Sequence, residues 1–329
     1  MKPPTEVVQC RDVSGRLREI TLTDQSEFVS PGAALEQRIV IANQQRLIRK
    51  FVSRQEGRRN SRRYAQLDNE IRASARLGQV YTKDYPPELP RLVAYNVDAE
   101  EPFVLLRAYI GEPVAGSASG FDDEQRRQFD LGLLRALQLI GAAGVVHGAV
   151  SFNAVRWERG RVQLVDFEWA QLAGEARRGG GPPPRSPEQL KGTGTVDIRD
   201  DLWSAAMLVR RIHLGALADS SWPDRSRDPE RLRSLLSPIF DNSVEQRPHA
   251  AELLTKLRVR SPLPHHEDPD DVFSAGRKEF DQASLRKRGP EAAGPAPEHS
   301  GNGHTGRRGR WRFPFRTTAL LALVTAVVR

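Results

Sequence analysis

Cysteine is nearly absent from this chain of 329 residues, with Cys10 the single one. An intramolecular disulfide is therefore excluded, and a reducing compartment is expected. No apolar run follows the lysine in Met1-Lys2-Pro3-Pro4-Thr5-Glu6, so no secretory signal peptide is expected. Glycine is scarce at the start: residues 6–51 hold only Gly15 and Gly32, and no cluster. A backbone that closes over phosphate groups needs closely spaced glycines, so this region offers no such loop. Residues 169–185 contain no Ser, Thr or Tyr, which excludes a phosphorylation switch there; Ser186 is the nearest hydroxyl. His265, His266, His299 and His304 have no regular spacing, and no metal site is expected from them.

What is present is enough for a real core: 38% of residues are hydrophobic. The length allows one large domain, or two smaller ones with a tail. The formal net charge of +8 points toward acidic partners or an anionic membrane surface. No specific nucleic-acid signal accompanies it.

Alternation predicts strands over residues 18–22, 34–41 and 45–52, with Asn43-Gln44 as a hairpin turn. In the third, Leu47, Arg49 and Phe51 share one face, and Ile48, Lys50 and Val52 share the other. A helix is expected over 58–77, with Tyr64, Leu67, Ile71, Ser74 and Ala75 along one side. Arg46, Arg49, Lys50, Arg54, Arg58, Arg59, Arg62 and Arg63 concentrate positive charge around these elements, as a solvated face or a site for lipid headgroups or an acidic segment. Two further strands are expected at 89–95 and 102–106, and a buried helix over 123–142.

The most informative stretch is 144–170. It reads as a β-branched run, a polar loop, a strand, a turn at Glu158-Arg159-Gly160, and a second strand ending on Asp166. Further on, Ser186-Pro187-Glu188, the run 201–209 beginning Asp201-Leu202-Trp203, and Gln246-Arg247-Pro248 follow in order. With His147-Gly148 and Asp166-Phe167, these blocks resemble the protein kinase family, in particular bacterial Ser/Thr-kinase-like domains.

That resemblance implies an α+β, two-lobed kinase-like fold, with a small β-rich N-lobe and a larger helical C-lobe. It divides the chain into an N-terminal extension (1–13), an N-lobe (14–106), a C-lobe (107–259), a Pro/Gly/basic linker (260–316) and an apolar segment (317–329). It places the catalytic base at Ala149 and a metal-binding Asn at Ala154, and alanine serves neither role. Shifting the register by one brings Asn153 near the Asn position but displaces Ser151 and Val155. Glu168 stands where the family has glycine.

The domain so implied is a pseudokinase with no catalytic residue and no metal site. Asp166, Glu70 and either Arg49 or Lys50 are vestiges of nucleotide and metal binding, and Arg107, Ala108 and Tyr109 form a hinge. His147, Asp201, Glu188 and Arg247 are structural: Glu188 pairs with Arg247, and Asp201 caps the loop near His147. Asp166→Ala is expected to be close to neutral, since an idle metal ligand holds nothing.

The expected function is an inactive scaffold or regulatory module that binds protein partners, without a required cofactor but with room for weak ATP or magnesium binding. The alternative is a divergent ATP-dependent phosphotransferase using Asp166 for metal.

Residues 260–316 read as a linker, with a short helix at 272–285. Arg307, Arg308, Arg310, Arg312 and Arg316, interleaved with Trp311, Phe313 and Phe315, precede an uncharged run at 317–328. Such a flank marks the cytoplasmic edge of a membrane segment. The run is shorter than the roughly 20 residues a span needs, so it is expected to be a truncated transmembrane helix or a short anchor on an anionic surface. The domain is then cytoplasmic and membrane-associated.

Overall fold

Alternating strands dominate the first hundred residues, and in the computed structural model of the chain they close on themselves. The structure describes residues 4–179, 184–215, 223 and 225–263. Residues 1–264 form one compact unit and 265–329 a second. The second falls outside the described residues, and with it the expected helix at 272–285, the four histidines, the arginine flank and the apolar run.

Strands β1 (Thr5–Arg11), β2 (Leu17–Glu27), β3 (Glu36–Ala42), β4 (Gln45–Phe51), β5 (Leu92–Asn96) and β6 (Phe103–Arg107) form an antiparallel barrel in the order β1-β2-β3-β4-β6-β5. The β3–β4 hairpin turns through Asn43 and Gln44, both at positive φ (48° and 63°), the two-residue geometry that matches strand twist. Cys10, Leu22, Val40, Leu47, Phe51, Phe103 and Leu105 pack together inside. The opposite faces of β4 and β6 present Val52, Val104 and Leu106 to Leu67 and Ile71 of a helix.

That helix is shorter at its start than the sequence suggests. Residues 54–80 form two helices, α1 (Arg54–Arg59) and α2 (Arg62–Val80). Asn60 is extended (φ −144°, ψ 90°), and its Oδ1 accepts the Arg62 amide at 3.2 Å, so it ends one helix and starts the next.

Beyond the barrel, β7 (Glu112–Pro113) pairs with β9 (Val155–Glu158), which forms a hairpin with β10 (Arg161–Leu164) through Arg159 (φ 48°) and Gly160 (φ 83°). Between them lie α3 (Asp123–Ala142) and β8 (Val145–Val146). A reciprocal cap between Asp122 and Gln125 fixes the start of α3. Downstream are β11 (Gln171–Leu172), α4 (Pro187–Lys191), α5 (Asp200–Leu214), α6 (Glu230–Leu236) and α7 (Ala250–Lys256). Phe129, Leu133 and Leu137 of α3 join Leu202, Trp203 and Leu208 of α5 and Leu253 of α7 in the largest apolar cluster.

Buried charges here come in pairs. Arg247 donates Nη1 to Glu188 Oε1 at 2.5 Å and Nη2 to Oε2 at 3.0 Å, with its guanidinium 5.0 Å from the Trp203 ring centre. Arg210 makes a fork with Asp228 at 2.8–3.0 Å, both side chains fully buried.

The architecture corrects the expected two-lobed kinase-like fold. The α+β content stands, but the N-terminal sheet is a closed six-stranded barrel rather than a small kinase lobe, with helices after it. The reason lies in residues 5–11, assigned in sequence to an extension. They form β1, which pairs with β2 over seven positions from Thr5↔Thr23 to Arg11↔Leu17 and meets β5 at Arg11↔Tyr95. Closure leaves no free sheet edge there.

Glu188→Ala strands the buried Arg247 guanidinium and is expected to lower unfolding stability by about 3–5 kcal/mol. Urea denaturation checks it against Glu124→Ala on the exposed face of α3, which should leave the midpoint unchanged.

Candidate functional site

Lys50 is the centre of a buried charge cluster. Strand alternation turns it, with Ile48 and Val52, away from the barrel interior and toward α2. On α2 the spacing 67, 70, 71, 74 puts Glu70 on the same buried face as Leu67, Ile71 and Ser74. The third contribution comes from the chain leaving β10. Asp166 sits at φ 66°, a left-handed conformation rare outside glycine, and the chain turns sharply there. Phe167 is fully buried against the His147 ring at 4.7 Å, while Asp166 and Glu168 on either side face Lys50.

Lys50 Nζ lies 2.6 Å from Asp166 Oδ1, 2.7 Å from Glu70 Oε2 and 3.2 Å from Glu168 Oε1. All four side chains are buried. One ammonium thus serves three carboxylates. Burial disfavours the Lys50 ammonium, but Asp166, Glu70 and Glu168 around it raise its pKa well above the usual lysine range. Burial also works against the Asp166 carboxylate, yet Lys50 and the Ser30 hydroxyl hold it below the usual range. Glu70 goes the other way. Burial outweighs its share of Lys50, Glu168 and Asp166 add repulsion, and its pKa rises to about 7. Its Oε1 has no hydrogen-bond partner.

The loop between β2 and β3 covers the cluster. Ser30 Oγ donates to Asp166 Oδ2 at 2.8 Å, and the Ala34 and Leu35 amides donate to Glu168 Oε2 and Oε1 at 2.5 and 3.3 Å. Asn69 of α2 donates to the Glu168 carbonyl at 2.9 Å. Tyr109 Oη lies 3.3 Å from Asp166 Oδ1, and its ring meets Phe28 edge-on at 6.2 Å. Burial, offset in part by Lys50, drives the Tyr109 phenol well above its ordinary pKa.

Beside the cluster, the loop after β8 is held from below. Asp201 Oδ2 and Oδ1 accept the His147 and Gly148 amides at 2.5 and 2.8 Å. Burial raises the Asp201 pKa to about 7 against those two bonds. His147 Nε2 is 2.8 Å from the Val165 carbonyl, and its Nδ1 accepts the Ala149 amide at 3.2 Å. Burial lowers the His147 pKa to about 4, so the ring is neutral at physiological pH.

The sequence-derived residues thus fall into groups. Lys50, Glu70, Asp166 and Tyr109 meet at one point. Arg49 points to the other face of β4, stacks on Phe103 at 4.7 Å and pairs with Glu6. Arg107 and Ala108 are exposed, and Ala149 and Ala154 are buried. His147 with Asp201, and Glu188 with Arg247, hold neighbouring structure. Missing from the expectation were Ser30, Asn69 and the carboxylate role of Glu168. An acid in an otherwise apolar Phe-Glu-Trp run was the available signal for Glu168. Nothing local marks Ser30, which lies 136 positions from Asp166.

The donor set does not fit a magnesium ion or a metal–nucleotide. Asp166 Oδ1 faces the ammonium, Oδ2 accepts Ser30, both Glu168 oxygens are taken by Lys50 and loop amides, and Ala154 offers no side-chain ligand. The expectation that Asp166→Ala is neutral is corrected for the same reason: the carboxylate ties Lys50 to the β2–β3 loop.

Because folding raises the Glu70 pKa from 4.5 to about 7, the folded state holds this proton more tightly than the unfolded chain. Its contribution to stability is present below pH 4.5, falls as pH rises through that window, and is flat above 7. Glu70→Gln removes the term, so the variant should gain on the parent by about 3 kcal/mol between the two ends of the window. Chemical denaturation at several pH values reads this directly, and a pH-independent difference rejects it. No protein-family model and no curated protein matches this chain, so nothing among known sequences supports the kinase resemblance.

Proposed function

We propose that the chain is a non-catalytic scaffold or regulatory binding module. The observation that carries this is the self-sufficiency of the Lys50 cluster. Both oxygens of Asp166 and of Glu168 are engaged by the chain's own donors. Phosphoryl transfer needs a group that orients the nucleophile and carboxylates free to hold metal. The adjacent segment 147–154 has no carboxylate, and its imidazole is buried and neutral. The proposal extends to location: the arginine flank at 307–316 holds the module to the cytoplasmic face of an anionic membrane, each basic residue adding up to about 1 kcal/mol.

Incubation with labelled ATP, magnesium or manganese, and generic acceptors should give background signal, and the melting temperature should not move with nucleotide. Metal-dependent labelling that disappears in Asp166→Ala overturns the reading in favour of an enzyme. For location, the full chain should sediment with anionic vesicles at low salt while a chain ending at residue 264 stays in solution. Equal behaviour of the two removes the membrane part.

A further inference from the structure

The β2–β3 loop is built differently from the other covers of the Lys50 cluster. Those are strands of a closed barrel, a 19-residue helix and a hairpin. Residues 29–34 belong to no ladder. Their own backbone bond, Ala33 N–H to the Ser30 carbonyl at 3.0 Å, closes a turn inside the loop. Pro31 sets the first central position of that turn, and Gly32 at φ 81° supplies the second. The loop is exposed except where it reaches inward: Val29, Pro31 and Gly32 face solvent, and Ser30 is buried. At the turn, Gly32 comes so close to Asn153 that an added Cβ would lie 3.1 Å from Asn153 Nδ2. The ends are fixed by Phe28 against Tyr109 and by Leu35 in the apolar layer under α2.

We infer that residues 28–35 are an occluding strap, an autoinhibitory contact that closes over Asp166 and Glu168 and opens without unfolding the barrel. The warrant is the asymmetry of its attachments. What holds it down between its fixed ends is the Ser30 hydroxyl on Asp166 and the Ala34 amide on Glu168, with the Leu35 amide at the hinge. These bonds go to carboxylates that regain hydration when the strap lifts, so opening is a small local event. Opening also relieves a site in which three carboxylates share one ammonium. The inference rests on this geometry and does not depend on whether the module is catalytic.

Hydrogen exchange and carboxylate labelling on the full chain test it. In the parent, peptides covering 28–36 should exchange faster than those covering β4, as a local opening requires. Ser30→Ala removes one bond to a charged acceptor, for which tenfold or more acceleration at 28–36 is expected, roughly, with β4 unchanged. A water-soluble carbodiimide with glycine ethyl ester should label Asp166 at least about tenfold more slowly than the fully exposed Asp123, a ratio set by the closed strap, and Ser30→Ala should narrow that gap. Equal labelling of Asp166 and Asp123 in the parent means that the strap does not occlude, and this comparison needs no variant. Unchanged exchange in Ser30→Ala, or equal acceleration of 28–36 and β4, means that there is no local opening, and either result overturns the inference.

Discussion

A single ammonium shared by three buried carboxylates is the interaction on which the rest depends. Lys50 is fully buried on β4, and its partners come from α2 and from the segment leaving β10. It therefore joins the barrel, the helix laid against it and the hairpin beyond it at one atom. Removing a buried charge from its partners costs several kcal/mol, so these elements cannot drift apart cheaply. The charge count also leaves the cluster over-acidic. Glu70 relieves this by holding its proton to about pH 7, and donors from the β2–β3 loop satisfy the remaining oxygens.

The helical part solves the same problem by strict pairing. Arg247 with Glu188 and Arg210 with Asp228 are one-to-one forks, each fixing distant segments across the core. Bidentate geometry satisfies both charges in one plane, which a shared lysine cannot do. The helices are thus locked by saturated contacts, while the Lys50 cluster keeps an unpartnered Glu70 oxygen and a cover made of loop. Structural tension in this chain is concentrated there, beside the polar segment 147–154.

Much of this was legible along the chain. Helix α3 spans the residues its periodicity predicts, and the turns at Asn43-Gln44 and Glu158-Arg159-Gly160 carry their own conformational signatures. The blocks around His147, Glu188, Asp201 and Arg247 were singled out as structural, and the structure puts His147 with Asp201 and Glu188 with Arg247. The break at Asn60 was missed because helical periodicity runs through it, whereas the break is a matter of one extended residue and a side-chain cap.

The sequence by itself determined local matters: which residues form strands and helices, which strand face is apolar, and where the chain turns. Those follow from side-chain spacing and backbone preference within a few residues. Tertiary structure alone decided three things. It chose Lys50 over Arg49, since alternation separates the two faces of β4 without saying which face meets α2. It made residues 5–11 a barrel strand, because closure depends on pairing with β2 and β5 rather than on anything in β1 itself. It brought Ser30 and Glu168 to the cluster, as contacts across more than a hundred residues leave no periodic trace in the intervening chain.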